Sequence, residues 1–324
     1  MMRFDGQVAI VTGGGRGMGR SHSLLLAERG AKVVVNDLGV TMAGALTTEA
    51  PAHSVVAEIV QAGGDAIADG NDVATPTGAQ AMVDAAIARW GRIDIVIHNA
   101  GIVRFAPFGE MTYEQFRSVM SVHVDGGFLV ARAAWPHMAA QGYGRIVFIT
   151  SQAALSGIEN NANYGAAKTA LVGLARGMAI DGAQHGIKVN SVDVMALTRM
   201  MEDFFTGGDE SRPDIGAATG ARNWWEQYVR PELVSPVVAF FAHKDCPWSG
   251  EIINTTAGRV CHQYLAMTDG FTDLDLTMES ISENFAKIGD SQHGQHVFSH
   301  TNQYLQLQLK RLVEDTGIEA IPSM

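Results

Sequence analysis

Cysteine is almost missing from this chain: Cys246 and Cys261 are the only two in 324 residues. Their separation matches neither a disulfide framework nor a paired zinc-ligand spacing, so a reducing compartment fits and no metal site is implied. Basic residues are outnumbered, 23 Lys and Arg against 34 Asp and Glu, for a formal charge of −11. Phosphate neutralisation needs basic patches and none is evident, so a nucleic-acid partner is excluded, and a substrate with many phosphates is disfavoured. No apolar run approaches the roughly 18 residues of a membrane span, so no membrane partner is expected. Met1-Met2-Arg3 leads on without an apolar signal segment, and the expected location is cytoplasmic. With 47% hydrophobic and 18% charged residues the composition is that of an ordinary globular protein. The length suits one large α/β domain with an extension.

Glycine is plentiful, and its placement is informative. The stretch QVAIVTGGGRGMGRSHSLLLAERGAKVVVND starts with an apolar β-type run, Val8 to Val11, crosses a glycine cluster and continues with helical periodicity to Gly30. A second apolar run, Val33 to Val35, follows. Strand, glycine turn, helix, strand is a βαβ unit of about thirty residues, which makes a parallel pair. Gly13, Gly17 and Gly19 fall at the strand-to-helix junction, where Arg16 and Met18 complete the loop. Glycine there permits a tight turn and close backbone approach, and the helix N-terminus can hold a pyrophosphate. Asp37 ends the second strand, next to Leu38, where a carboxylate can accept hydrogen bonds from ribose hydroxyls. Its charge repels a 2′-phosphate, whereas Arg16 could pair with one; an arginine can swing to solvent, so NAD is favoured over NADP.

The alternation continues. AHSVVAEIVQAGG reads as a helix, DAIADGNDV as a third strand ending at Asp72, GAQAMVDAAIARWG as a helix, and RIDIVIHNAG as a fourth strand closing on Asn99, Ala100 and Gly101. Repeated βα units imply a Rossmann-type doubly wound parallel sheet with helices on both faces and ligands at the carboxyl ends of its strands.

In NYGAAKTALVGLARG, Tyr164 and Lys168 stand one helical turn apart with only Gly165, Ala166 and Ala167 between them. On one helix face an ammonium can lie beside a phenol. The expectation is that this charge lowers the phenol's pKa from near 10 towards neutrality, as a general acid/base requires.

TGGGRGMG, Asp37, NDV, HNAG, GRIVFITS and YGAAK, in that order, resemble a short-chain dehydrogenase/reductase. Within that superfamily RGAKVVVNDLG, RAAWPHM, ANYGAAKTALVGLA and FTDLDLTMESISENFAKI are similar to the (3R)-hydroxyacyl-CoA dehydrogenase part of type 2 multifunctional enzymes and to bacterial hydroxysteroid dehydrogenase relatives. The resemblance covers roughly residues 5 to 290. It implies that Tyr164 is the general base, that Lys168 lowers its pKa and binds the nicotinamide ribose, and that Ser151 hydrogen-bonds the substrate oxygen. It also implies that Asp72 and Val73 flank the adenine and that Asn99 to Gly101 pass beneath the cofactor. A homodimer or homotetramer is the family expectation. Three positions depart from the pattern. His123, in MSVHVDGGF, replaces an asparagine that helps hold a proton-relay water, and reads either as its substitute or as a structural helix histidine. Val194-Met195 replaces Pro-Gly beside the nicotinamide. His98 replaces the first asparagine of HNAG, as a tolerated strand residue.

Residues about 198–232 are expected to form a long substrate lid. Phe204, Phe205, Trp224, Trp225 and Tyr228 supply apolar surface, and Gly207, Gly208, Gly216 and Gly220 supply bending points. The aromatics suit a bulky hydrophobic substrate, or else pack on the body or a neighbouring subunit. Glu202, Asp203, Asp209, Glu210 and Asp214 make the segment acidic. That disfavours a coenzyme A ester and suits a neutral steroid-like alcohol, while the resemblance points to acyl-CoA; both stay open. The expected division is a dinucleotide-binding domain over 1–258 and a C-terminal extension over 259–324. In the extension His293, His296 and His300 read as a solvated tail, and Leu305, Leu307, Leu309 and Leu312 mark a terminal helix that docks, plausibly on a partner subunit. The main functional reading is an NAD-dependent oxidoreductase acting on a secondary alcohol or ketone; the alternative is an inactive NAD-binding scaffold or sensor.

Overall fold

Runs of Val and Ile with few polar interruptions make the strands, because β-branched side chains fill a pleated surface buried on both faces. In the computed structural model, which describes residues 1–40, 47, 50–198, 222–290, 296–297 and 301–317, these runs are β1 (Val8–Thr12), β2 (Lys32–Asn36), β3 (Asp65–Asp69), β4 (Ile95–His98), β5 (Gly144–Thr150), β6 (Ile187–Met195) and β7 (Ile252–Thr256). They pair in parallel in the order β3-β2-β1-β4-β5-β6-β7. An eighth strand, β8 (Arg259–Gln263), is added beside β7 across the two-residue turn Ala257-Gly258, whose φ angles of 51° and 78° are those of a hairpin. The boundary expected between 258 and 259 therefore falls inside a hairpin, and β8 belongs to the sheet. The compact unit that holds the sheet is Met1–His262.

Helices cover both faces. On one side α1 (Gly17–Glu28), α2 (Pro51–Gln61) and the helix Pro231–Ala242 bury residues such as Val11, Val35, Ile97 and Ile149. On the other, α3 (Pro76–Trp90), the helix Gly126–Gln141 and the long helix Ala162–Gly182 cover Ile10, Val34, Phe148 and Val189. Full burial of such a side chain contributes roughly 1.5–3 kcal/mol. The strand order reverses at β1, between β2 and β4, which opens a crevice at the carboxyl ends of these strands.

One strand ends earlier than expected. β3 stops at Asp69 rather than Asp72, because the Asp69 carboxylate accepts hydrogen bonds from the Asn71 backbone N–H (3.0 Å) and the Asn36 amide (2.7 Å), which turns the chain out of the ladder. Asp72 lies in the following loop, and its carboxylate accepts from Ala74 N–H at 2.9 Å.

The second unit is Gln263–Met324. It contains two short paired strands, Ala266–Met267 and His296–Val297, two short helices, Met278–Glu283 and Phe285–Ile288, and a terminal helix, Thr301–Thr316. The solvated tail expected around the histidines is partly structured: His296 pairs with Asp269 at 2.7 Å, and Arg311 pairs with the same carboxylate. His293 and His300 lie outside the described residues.

Candidate active site

The glycine loop leaves β1 by backbone conformations that L side chains rarely adopt, with φ of 61° at Gly13 and 49° at Gly17. Gly19 lies beneath this loop: a Cβ there would stand 2.0 Å from the Gly13 carbonyl oxygen. The first turn of α1 has no side-chain cap and no acidic residue, so its N–H groups face the crevice. One cleft gathers Gly13, Arg16, Gly17 and Met18 from the loop, Asp37 and Leu38 after β2, Asp72 and Val73 after β3, and Asn99, Ala100 and Gly101 after β4. Asp37 is held by Gly15 N–H (3.2 Å) and Gly39 N–H (2.9 Å), and Arg16 donates to the Val40 carbonyl at 3.1 Å. Gly19 packs under the loop and Val194 is buried in the sheet core, so neither lines the cleft. The sequence reading missed Val40, Ile102 and Thr198, which do; Thr198 leans over Gly17.

Behind the cleft a polar corner fixes the ends of β1 and β4. Thr12 Oγ1 accepts the Asn99 and Ala100 N–H groups, both at 3.0 Å, and faces His98 Nδ1 at 3.1 Å. A hydroxyl with both acceptor positions filled donates its one proton, so His98 Nδ1 is the acceptor. His98 Nε2 then carries the proton and donates to the His123 carbonyl at 3.0 Å. Burial is the main reason that His98 is pushed down to about 4, and the nearby Lys168 adds to it, so the ring is neutral. His98 is thus a tie between two elements rather than a merely tolerated strand residue.

His123 sits in a single π-helical turn, Ser121–Asp125, and is 1% exposed. Its Nε2 lies 2.9 Å from the Ile102 carbonyl oxygen and 3.2 Å from the Ile102 nitrogen, and Nδ1 is buried with no partner among the described residues. Burial, then Lys168, holds this ring neutral as well, well below the ordinary histidine range. Its ring stands perpendicular to that of Tyr164, with the ring centres 5.3 Å apart.

Tyr164 and Lys168 share one face of the helix Ala162–Gly182, as their spacing predicts, with the Lys168 ammonium 5.3 Å from the phenol ring centre. Asn163, fully buried, ties this helix start to the Arg104 carbonyl at 2.9 Å and caps Tyr164 N–H at 2.8 Å. Ser151 stands just past β5, where its Oγ accepts the Ala153 N–H at 3.3 Å, and it favours the Tyr164 phenolate. The expected electrostatics are reversed. Burial pushes Tyr164 up to about 12, against the opposing pull of Ser151, and pushes Lys168 down to about 7. The lysine donates to the Ile149 carbonyl at 2.7 Å. Desolvation is the largest influence on both groups, an effect that helical spacing cannot report.

Of the lid, residues 199–221 lie outside the described residues, including Glu202, Asp203, Phe204, Phe205, Gly207, Gly208, Asp209, Glu210, Asp214, Gly216 and Gly220. Its described end is the helix Arg222–Tyr228, and Leu197 N–H donates to the Val229 carbonyl at 2.6 Å, joining the two ends of the segment.

Residues 7–206 match the short chain dehydrogenase family. The chain belongs to that family. Among relatives of this short-chain dehydrogenase, peroxisomal multifunctional enzyme type 2 of Drosophila melanogaster is 36% identical over 91% of the chain, which covers 47% of the fly protein. The chain thus spans about half the length of that relative. A putative short-chain type dehydrogenase/reductase of Mycobacterium tuberculosis is 38% identical over 88% of the chain and 94% of its own length. The solved full-length fly enzyme superposes with a TM-score of 0.76 at 30% identity, covering 97% of this chain and 50% of that one. A 7α-hydroxysteroid dehydrogenase solved with NADH and 7-oxo glycochenodeoxycholic acid gives 0.68 at 30% identity, over 79% and 95%. No helix among the described residues is long and apolar enough to cross a membrane.

Proposed function

We propose that this short-chain dehydrogenase is an NAD(H)-dependent oxidoreductase that interconverts a secondary alcohol and a ketone on a bulky hydrophobic substrate. The observation that carries the reading is Tyr164 and Lys168 on one face of the helix that starts beside the cleft, with the ammonium 5.3 Å from the phenol ring centre. The cleft is within two contacts: Ile102 lines it and binds His123, whose ring touches Tyr164.

The residues present fit a dinucleotide. Gly13 and Gly17 turn the backbone away from the space above an uncapped helix start, and Asp37 is fixed at the cleft wall. Arg16, Gly17 and Met18 would hold the pyrophosphate, Asp37 and Leu38 the adenosine ribose, Asp72 and Val73 the adenine, and Asn99 to Gly101, with Tyr164 and Lys168, the nicotinamide half. Asp37 favours NAD over NADP. When bound, the nicotinamide supplies the hydride chemistry and, when oxidised, a positive charge. The protein's part is proton transfer: Ser151 orients the substrate oxygen, and Tyr164 exchanges its proton. With Tyr164 near 12, the form held at neutral pH is the protonated phenol, which delivers a proton to a ketone. Oxidation then gains as pH rises.

The lid's aromatic residues support a bulky apolar substrate, and its acidic residues favour a neutral ring system over a coenzyme A ester. The similar proteins include a 7α-hydroxysteroid dehydrogenase and multifunctional enzymes, and both substrate classes belong in the test. A cytoplasmic location is part of the reading. So is a homodimer or homotetramer. A groove of about 900 Å3 between the helices Gly126–Gln141 and Ala162–Gly182 exposes Phe128 and places Arg132 and Asp181, of opposite sign, at its rim, as a self-complementary contact requires. Light scattering should return a multiple of the chain mass.

The deciding experiment follows NADH formation against hydroxysteroids, 3-hydroxyacyl-CoA esters and simple secondary alcohols. Tyr164→Phe should cut turnover by about 10²–10⁴-fold while NAD still raises the melting temperature. Retained turnover in that variant would remove Tyr164 from the chemistry, and a silent wild-type protein that still binds NAD would favour the scaffold reading.

A further inference from the structure

β6 carries a carboxylate into the neighbourhood of this pair. Asp193 is 2% exposed and stands in register between Thr150 of β5 and Asn254 of β7. Side chains alternate along a strand, so Asp193 shares a face with Ile187 and Val189. That is the face covered by the Tyr164 helix, since Ile187 and Val189 lie in one apolar cluster with its Leu171 and Ala175. Lys168 donates to the carbonyl of Ile149, the residue immediately before Thr150. Neighbouring strands lie about 4.8 Å apart, so the buried ammonium at the end of β5 and the buried carboxylate on β6 are near neighbours. Asn254 Nδ2 holds the carboxylate from the far side, donating to Oδ2 at 3.1 Å.

We propose that Asp193 is a positioning residue, a buried carboxylate fixed between β5 and β7 that serves as the counter-charge keeping Lys168 an ammonium beside Tyr164. The inference rests on the reading of Tyr164 and Lys168 given above. Among the described residues, the other titratable groups facing the ammonium are Tyr164 on its own helix, His98 on β4 and His123 on the π turn, and burial keeps both histidines neutral. Across the sheet, Thr150 and Asn254 carry no charge. Asp193 is the charge that opposes the burial penalty on Lys168, and it also disfavours the phenolate of Tyr164. One carboxylate therefore acts on both members of the pair in the same direction, towards the protonated form. Its removal should lower both proton affinities, and the macroscopic steps belong to the pair rather than to either residue.

The test uses the full chain with 13C-labelled lysine, followed by NMR as pH is varied. Lys32, Lys188, Lys244, Lys287 and Lys310 are the other lysines, and the resonance titrating near pH 7 is assigned to Lys168 by its loss in Lys168→Met. In Asp193→Asn the midpoint should fall, and both limbs of the pH profile of kcat should move towards acid by about one pH unit. Asp193→Ser, smaller and also uncharged, guards against a folding defect peculiar to the amide and should give the same shift. A midpoint that stays in place in both variants, whatever happens to melting temperature or overall rate, overturns the proposal, because a merely structural residue would lower stability without moving the lysine's titration. If the midpoint falls but the wild-type protein turns over no alcohol, the counter-charge stands and the catalytic reading fails, so the two are separable.

Discussion

Two corners of one sheet, both at the carboxyl ends of its strands, are built on opposite principles. At the ends of β1 and β4, Thr12, His98 and Asn99 form a closed set in which each donor meets an acceptor. At the ends of β5 and β6, the buried Lys168 and the partly buried Tyr164 are displaced far from their ordinary values, to about 7 and about 12. A satisfied polar network is rigid and specifies one arrangement. A displaced pair stores a tendency to exchange protons, which is where chemistry is expected. In the proposed reading the first corner would hold the cofactor's floor still, and the second would do the proton work.

Breaking the first corner should have the largest effect on structure. Gly19→Ala places a methyl group against the Gly13 carbonyl oxygen and within 2.6 Å of the Asn99 amide nitrogen. Backbone must move, and the loop cannot yield without losing its shape. Destabilisation of more than about 3 kcal/mol is expected, with NAD affinity falling by more than about a hundredfold. Thermal unfolding and calorimetric titration with NAD check both; near-native values would show that the loop is softer than the closed network implies.

A smaller effect, about 2–3 kcal/mol, is expected for His98→Leu, which leaves the Thr12 hydroxyl and the His123 carbonyl without their buried partner. This variant also sharpens the comparison through pH. In the folded protein His98 is held at about 4, below the ordinary 6.5, so the unfolded chain binds the extra proton first. Stability contributed by neutral His98 is present above pH 6.5 and is lost as pH falls towards 4. His22, held at about 3 by burial against Ser235, works in the same direction. His98→Leu should therefore be less stable than wild type at pH 7.5 and lose less stability between pH 6.5 and 4. Parallel pH curves for the two proteins would mean that His98 is not a buried neutral histidine.

The nucleotide corner was largely legible because its signals are local. Gly13, Gly17 and Gly19 sit where a strand meets a helix, and Asp37 follows the next strand, so chain order alone predicts their meeting at the cleft, apart from Gly19, which packs under the loop. Tyr164 and Lys168 were legible for the same reason, since helical spacing fixes a shared face. What depended on register or burial was not. His98 looks like a neutral replacement until β1 and β4 are aligned and Thr12 is found opposite it. Asp193 is far in sequence from the pair it faces, and only the β5–β6 register brings it there. The direction of the Tyr164 shift was misjudged because spacing reports the neighbouring charge but not the loss of water. β3 ended early at Asp69 through a side-chain bond to its own backbone, a local competition that an apolar pattern does not reveal.

The smallest expected effect tests whether the nucleotide corner discriminates by charge. Asp37 accepts Gly15 N–H through one oxygen and Gly39 N–H through the other, so the carboxylate is held at the cleft wall by the loops on either side of it. Asp37→Asn keeps the shape and an oxygen acceptor but removes the charge and turns one of these contacts into donor against donor. A small loss in NAD affinity should follow. NADP, whose 2′-phosphate no longer meets a carboxylate, should gain relative to NAD by about tenfold, or about 1.4 kcal/mol. Arg16, which donates to the Val40 carbonyl, is the basic group among the described residues that line the cleft. Competition between the two cofactors, measured as the ratio of their Kd values at low and high salt, separates the terms. A gain that shrinks with salt identifies removed repulsion as its cause, whereas an unchanged ratio would mean that the corner selects its cofactor by shape.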